Sequence, residues 1–319
     1  MSVANTNIQS IKTIPGPSFS RKLKKDFRRN KYLYLMAIPI IAYYIIFHYK
    51  PMYGAVIAFK EFSPIKGIMG SPWIGFKHFY DFFTDYYFLR IVKNTIIISF
   101  SSLIFGFPAP IILALLINEL KNKVFTRTVQ TITYMPHFIS LVVICGLIRS
   151  FTADDGIITY VFSLFGGEKV SMLNRPELFV PIYIISGIWQ GVGWGSIIYL
   201  SALQSIDVQL YEAATIDGAG HLRQTWHITL PGITPMIVLM LILRIGGLMS
   251  VGYEKIILLY NPAIYGTSDV ISSYVYRRGL LEFNWSYSSA VGLFNSVINF
   301  ILLIMANKIS RKVNETSLW

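Results

Sequence analysis

Six apolar runs, at approximately 32–49, 91–117, 129–149, 180–203, 233–253 and 287–306, constrain this chain more than any motif in it. Each is near the roughly 17–25 residues that a helix needs to cross about 30 Å of hydrocarbon. The runs are continuous and lack the alternation of barrel strands, so helices are expected in place of a closed sheet. The second run is long enough to tilt or to extend past the membrane. Pro39, Pro108, Pro110 and Pro136 lie within the runs, and neighbouring helices can satisfy the carbonyls that they free. The expected fold class is all-α, a polytopic membrane protein with six transmembrane helices.

Only 14% of the 319 residues are charged and the mean hydropathy is +0.53, where a soluble domain carries roughly 25% charge. The formal net charge of +12 is a number that a nucleic-acid binder can show. Here much of it belongs to a basic block beside the first run: Arg21, Lys22, Lys24, Lys25, Arg28, Arg29 and Lys31. That block begins too late for a signal peptide, its apolar run is long enough to span, and no small-residue cleavage site follows. A retained first helix with its N-terminus in the cytoplasm is expected. Cys145 is the one cysteine, so neither an internal disulfide nor a cysteine-based zinc site can form.

Six crossings then place both termini in the cytoplasm. The expected organisation is a basic tail (1–31), a transmembrane domain (32–306) containing a cytoplasmic loop at 204–232, and a C-terminal tail (307–319). Lys121, Lys123, Arg127, Lys308, Arg311 and Lys312 fit the positive-inside rule. Lys50, Lys60, Lys66, Lys77, Arg175, Arg277 and Arg278 fall on outer connections, so the rule is not cleanly obeyed after the first helix. Trp73, Phe76, Phe79, Tyr80, Phe82 and Phe83 crowd the first outer connection and predict an amphipathic helix at the outer interface.

The loop 204–232 is the most informative segment. Asp207 is placed to cap a helix through Gln209, Leu210 and Glu212, and Leu210, Ala213 and Ala214 share one small-residue face. Gly218 permits φ > 0, and a second short helix through Arg223 and Trp226 is expected before Pro231 opens the fifth run. Spacing alone leaves open an ordinary re-entry loop. Glu212-Ala213-Ala214, then Asp217-Gly218-Ala219, then Leu230-Pro231 closely resemble the coupling-loop signature of ABC importer permeases, at the matching position before the penultimate span. Pro51-Met52-Tyr53-Gly54, Ala58 to Phe62, Tyr134 to Phe138 and Arg244-Ile245-Gly246-Gly247 resemble the carbohydrate type, particularly those for uronic-acid-rich or complex polysaccharide fragments. The likeness runs from about Lys31 to about Lys308 and is to the first of two related permeases.

The resemblance implies a type I importer permease fold and a subunit without catalysis of its own in a bacterial plasma membrane. It further implies a second homologous permease, two cytoplasmic ATPase subunits, an extracellular solute-binding protein and an oligosaccharide substrate. Glu212, Ala213, Ala214, Asp217 and Gly218 would couple to one ATPase, which would carry ATP and Mg; no cofactor is expected on this chain. It departs from maltose-type permeases in lacking two N-terminal spans and a large outer insertion. Consistently, the sequence contains no Gly-x-x-x-x-Gly-Lys-Ser/Thr, His-Glu-x-x-His or Gly-x-Ser-x-Gly. His48, His78, His137, His221 and His227 are scattered, so no metal site is expected.

Sugars bind to aromatic platforms with hydrogen-bonding groups nearby. The fourth run offers Tyr183, Trp189, Gln190, Trp194 and Tyr199 among glycines; Trp189 and Trp194, five positions apart, are not on one face. The glycines can equally serve close helix approach. Asn295 and Asn299 share a face of the sixth run and suit either a path or interhelical hydrogen bonds. Arg244 is expensive in a span unless paired or solvated: attraction of a carboxylated sugar, pairing with Glu254 and snorkelling all remain open. The alternative function, an ion-coupled secondary transporter, calls for ionisable residues in the spans, and apart from Arg244 these are nearly absent.

Overall fold

A computed structural model describes residues 26–314 and Leu318; most of the expected basic tail (1–31) and part of the C-terminal tail lie outside the described residues. The chain divides into two compact units, Met1–Ala55 and Val56–Trp319. Among the described residues the secondary structure is helical, with one antiparallel bridge between Lys60 and Trp73. Among the described residues five helices are long and apolar enough to cross a membrane: α1 (Lys31–Phe59), α3 (Phe88–Asn118), α6 (Pro176–Leu203), α8 (His221–Gly246) and α11 (Trp285–Asn314). Between α1 and α3 lies the short α2 (Lys77–Thr84).

The third apolar run departs from expectation. Instead of one rod over 129–149, α4 (Lys123–Phe138) and α5 (Leu141–Phe151) meet at 100°, and they make a sixth crossing only if the bent pair is one span. Pro136 lies in a 3₁₀ turn, Ile139 leaves the helix with ψ 136°, and Ser140 starts afresh by accepting the Val143 N–H at 3.4 Å. The fifth run also differs. The short helix expected near Arg223 and Trp226 is the beginning of α8, which is continuous from His221 and ends at Gly246 instead of 253. The last helix continues to Asn314, past the expected 306.

Prolines do more here than be tolerated. Of four widened π turns among the described residues, three, Ile45–Tyr49, Ser102–Gly106 and Thr225–Thr229, each end two residues before a proline, at Pro51, Pro108 and Pro231. A proline has no N–H for the carbonyl four residues back and its ring presses on that carbonyl, so the preceding turn opens.

Within the larger unit, Ile111 and Ala114 of α3, Tyr199 and Leu203 of α6 and Ile233 of α8 form one apolar cluster. Two α6 glycines permit close approach, Gly193 that of α4 and Gly195 that of α3. A Cβ on Gly193 would stand 2.1 Å from the Thr133 carbonyl oxygen, and one on Gly195 would stand 3.0 Å from Pro110. His221 Nδ1 lies 3.5 Å from Glu119, placing the end of α3 and the start of α8 at the same end of the bundle.

At the other end, α9 (Tyr253–Leu259) and α10 (Ile271–Tyr276) fold between α8 and α11. Asp269, fully buried, accepts from Arg277 at 2.8 and 2.6 Å, Arg90 at 3.2 Å and the Ser273 hydroxyl at 2.8 Å. Thr95 accepts the Ile271 N–H at 2.9 Å, so this connection is tied to α3. Asp85 makes a second tie: burial alone would raise its carboxyl, yet the hydroxyl of Tyr274, the Tyr87 N–H, the Tyr287 hydroxyl and Arg278 hold it below the usual carboxylate range. The expected amphipathic helix is α2, with Phe82 wholly buried and Tyr80 and Phe83 exposed.

Candidate functional site

The π turn ahead of Pro108 opens α3 where it faces α6 and α8, and a cleft of about 610 Å³ lies there. Ser102, Gly106 and Pro110 form one wall; Tyr183, Gln190 and Gly191 of α6 another; Arg244 of α8 and Lys255 of α9 bring positive charge. Lys255 is 7% exposed and donates to the Tyr183 carbonyl at 3.0 Å, its ammonium 4.7 Å from the Tyr183 ring centre. Burial pushes the Lys255 ammonium down to about 8, against a smaller opposing influence from Cys145. Among the described residues no carboxylate pairs with Lys255, and none pairs with Arg244, so the Arg244–Glu254 pair considered from sequence does not form. A second groove, about 530 Å³ and lined by Phe62, Tyr276, Leu280 and Trp285 among others, carries no charged side chain. The first cleft therefore offers positive charge to an anionic solute and the second does not.

At the opposite end of α6, α7 (Val208–Ile216) lies between α6 and α8. Asp207 caps it, accepting the Gln209 N–H at 2.9 Å, and Gly218 adopts φ +75°, both as expected. Glu212, Ala213 and Asp217 are exposed and Ala214 is half-buried. The Tyr211 hydroxyl meets Thr229 Oγ1 at 3.0 Å, and Gln224 Nε2 donates to Thr215 Oγ1 at 3.1 Å and to the Ala219 carbonyl at 2.9 Å. The Tyr211 bond ties α7 to the first turns of α8, and the Gln224 bonds tie α8 back to the end of α7 and the turn after it. Ile216, Leu222 and Trp226 stand 87%, 79% and 67% exposed beside it, an apolar surface without a cover in the isolated chain.

Residues 106–315 match the family of binding-protein-dependent transport system inner membrane components. The chain belongs to that family. It is the membrane permease subunit of an ABC-type importer, which sets aside the ion-coupled carrier. The permease is 45% identical over 294 residues to the polygalacturonan/rhamnogalacturonan transport system permease protein YteP of Bacillus subtilis (strain 168), covering 91% of each chain. It is 43% identical to Protein LplB of the same organism, covering 95% of each. Among solved structures, a bacterial ABC transporter involved in the import of the acidic polysaccharide alginate contains a chain 44% identical to it. The match has a TM-score of 0.85 and covers 92% of the permease and 99% of that chain. A bacterial alginate transporter in complex with an alginate pentasaccharide-bound periplasmic protein matches at 43% identity and TM-score 0.86, covering 93% and 100%.

The permease brings only some of its expected path residues together. Tyr183 and Arg244 line the cleft, and Tyr199 forms its floor while being 4% exposed in the apolar cluster. Trp194 instead stacks on His137, with ring centres 4.6 Å apart and planes 2° apart, and Trp189 is half-exposed away from the cleft. Asn299 is a structural tie: it accepts the Met249 N–H at 2.9 Å and donates to Ser250 Oγ at 2.8 Å. Asn295 does not line the cleft, and its carboxamide oxygen is buried without a partner among the described residues. Sequence reasoning missed Lys255 and Ser102. Lys255 lies just past the predicted end of the fifth run, beside Glu254, and no periodicity there marks a buried cation.

Proposed function

We propose that the permease forms part of the path by which complex oligosaccharides, uronic-acid-containing ones included, enter the cell. The cleft between α3, α6, α8 and α9 is its share of that path. The observation that carries this reading is the placement of Arg244 and Lys255, two cations without a carboxylate partner, on one cleft. The relatives support it: one is named for polygalacturonan and rhamnogalacturonan, and two solved transporters for alginate, all of them acidic.

In this reading a second, homologous permease closes the cleft, and two ATPase subunits carrying ATP and Mg dock from the cytoplasm. An extracellular binding protein delivers the sugar. The α7 end, with Glu212, Ala213, Ala214, Asp217 and Gly218, faces the cytoplasm, as do both termini. Closure of the ATPases pushes α7, and the ties from Tyr211 and Gln224 pass that push to α8, which carries Arg244 at its far end. Alternating access follows from two membrane states biased by contacts at that loop.

The test is ATP hydrolysis by the purified complex in lipid, with its binding protein and a panel of neutral and uronic-acid oligosaccharides, comparing native protein with Glu212→Ala. Hydrolysis stimulated by an acidic oligosaccharide and uncoupled or abolished by the substitution is expected. Uptake without an ATPase partner, indifferent to Glu212, would overturn the reading.

A further inference from the structure

A small polar chamber of about 140 Å³ adjoins the cleft, sharing Ser102, Tyr183 and Arg244 with it and adding Ser99 and the turn that follows α8. Ser99 is 4% exposed and its hydroxyl has no hydrogen-bond partner among the described residues. Helical hydroxyls commonly satisfy themselves on the carbonyl four residues back. Thr95, one turn earlier, does so, donating to the Ile91 carbonyl at 2.7 Å, whereas Ser99, which lines the chamber, keeps a buried hydroxyl without an acceptor. Arg244 reaches the same chamber, and no hydrogen bond or ion pair among the described residues engages its guanidinium. On the adjoining cleft wall Lys255 is held by a carbonyl and an aromatic face.

A buried donor without an acceptor and two cations without an anion define what is missing: a small anionic acceptor. A planar carboxylate matches the guanidinium fork with two parallel hydrogen bonds and has lone pairs left for a hydroxyl donor. We propose that the chamber seats one carboxylate of the transported oligosaccharide, gripped by Arg244 and accepting from the Ser99 hydroxyl, with Lys255 adding charge from the cleft wall. The seat rests on the oligosaccharide reading above and adds a selective step within the membrane, after delivery by any binding protein. A neutral sugar of the same size leaves the buried Ser99 donor unanswered, the costly case for a buried polar group, and gives the exposed Arg244 guanidinium no anion to pair with.

Equilibrium binding tests this on the complete complex in nanodiscs, with partner permease and ATPases present and binding protein absent. The probes are a galacturonic-acid trisaccharide and its fully methyl-esterified, uncharged counterpart. The native complex is expected to prefer the acid by about tenfold or more. Arg244→Gln, at an exposed position, should collapse the acid-to-ester ratio toward one. Ser99→Ala, which removes no hydrogen bond from the fold, should lower that ratio several-fold. Equal affinities for acid and ester in the native complex overturn the seat, as does a tenfold preference that survives in Arg244→Gln. If neither probe binds, the oligosaccharide reading falls and the seat falls with it.

Discussion

Lys255 donates to the main-chain carbonyl of Tyr183 at 3.0 Å, and Gly187, one turn along α6, leaves room for it: a Cβ there would stand 3.4 Å from the ammonium. The lysine is thus set against the backbone of a spanning helix with Tyr183, Cys145 and Arg244 as its titratable or charged surroundings. Its folded value of about 8 lies below the 10.5 of an ordinary lysine, so between those values the unfolded chain binds more protons. Stability should therefore rise with pH across that window, by up to about 3 kcal/mol. Thermal unfolding of native protein and Lys255→Met in nanodiscs at pH 8, 9 and 10 reads this directly. The native curve should gain on the variant as pH rises; parallel curves would show that the lysine is not held in a desolvated site.

Gly193 crosses α4 with its Cα face against the Thr133 carbonyl, where a Cβ would stand 2.1 Å from oxygen and 2.4 Å from carbon. Backbone cannot rotate away as a side chain can. Gly193→Ala is expected to cost about 1–3 kcal/mol by overpacking and to lower the unfolding temperature. Gly191→Ala, with nothing within 4 Å, serves as the control that should not.

Asp269 is fully buried under Arg277 and Arg90, whose side chains remain 18% and 31% exposed. Asp269→Ala leaves two guanidinium groups without their anion. A loss of about 3 kcal/mol is expected, toward the low end for a broken buried pair because both cations keep some solvent. Limited proteolysis between 253 and 284 should become faster in the variant. Unchanged cleavage would mean that the Thr95 and Asp85 ties suffice to hold this connection.

Ile216, 87% exposed, stands at the end of α7 and packs on nothing in this chain. Ile216→Asp should leave the unfolding temperature of the isolated permease unchanged, as surface substitutions shift stability by about 0.5 kcal/mol or less. Recovery of the ATPase subunit on co-purification should fall about tenfold or more if this apolar surface is the docking anchor. Full recovery would move the docking surface to Leu222 and Trp226.

The sequence alone determined what depends on runs and local chemistry. Six apolar stretches dictate helices because hydrocarbon leaves backbone groups no other partner. Asp207 caps α7 and Gly218 takes φ +75° because short side-chain and backbone preferences decide such turns within a few residues. The coupling-loop motif carried the family for the same reason: its residues are contiguous. Tertiary structure decided the rest. The 100° bend after Pro136 is not dictated by a proline as such, since other prolines in this chain only widen a turn or sit inside a continuous helix. The aromatic and amide candidates in the spans looked alike by type, yet Trp194 went to His137 and Asn299 to the Met249–Ser250 turn, while Tyr183 reached the cleft. Helical spacing assigns residues to faces but does not say which face meets a neighbour and which meets a cavity. Lys255 and Ser99 come from distant parts of the chain, and only the packing of α3, α6, α8 and α9 brings a buried cation and an unanswered hydroxyl to adjoining cavities.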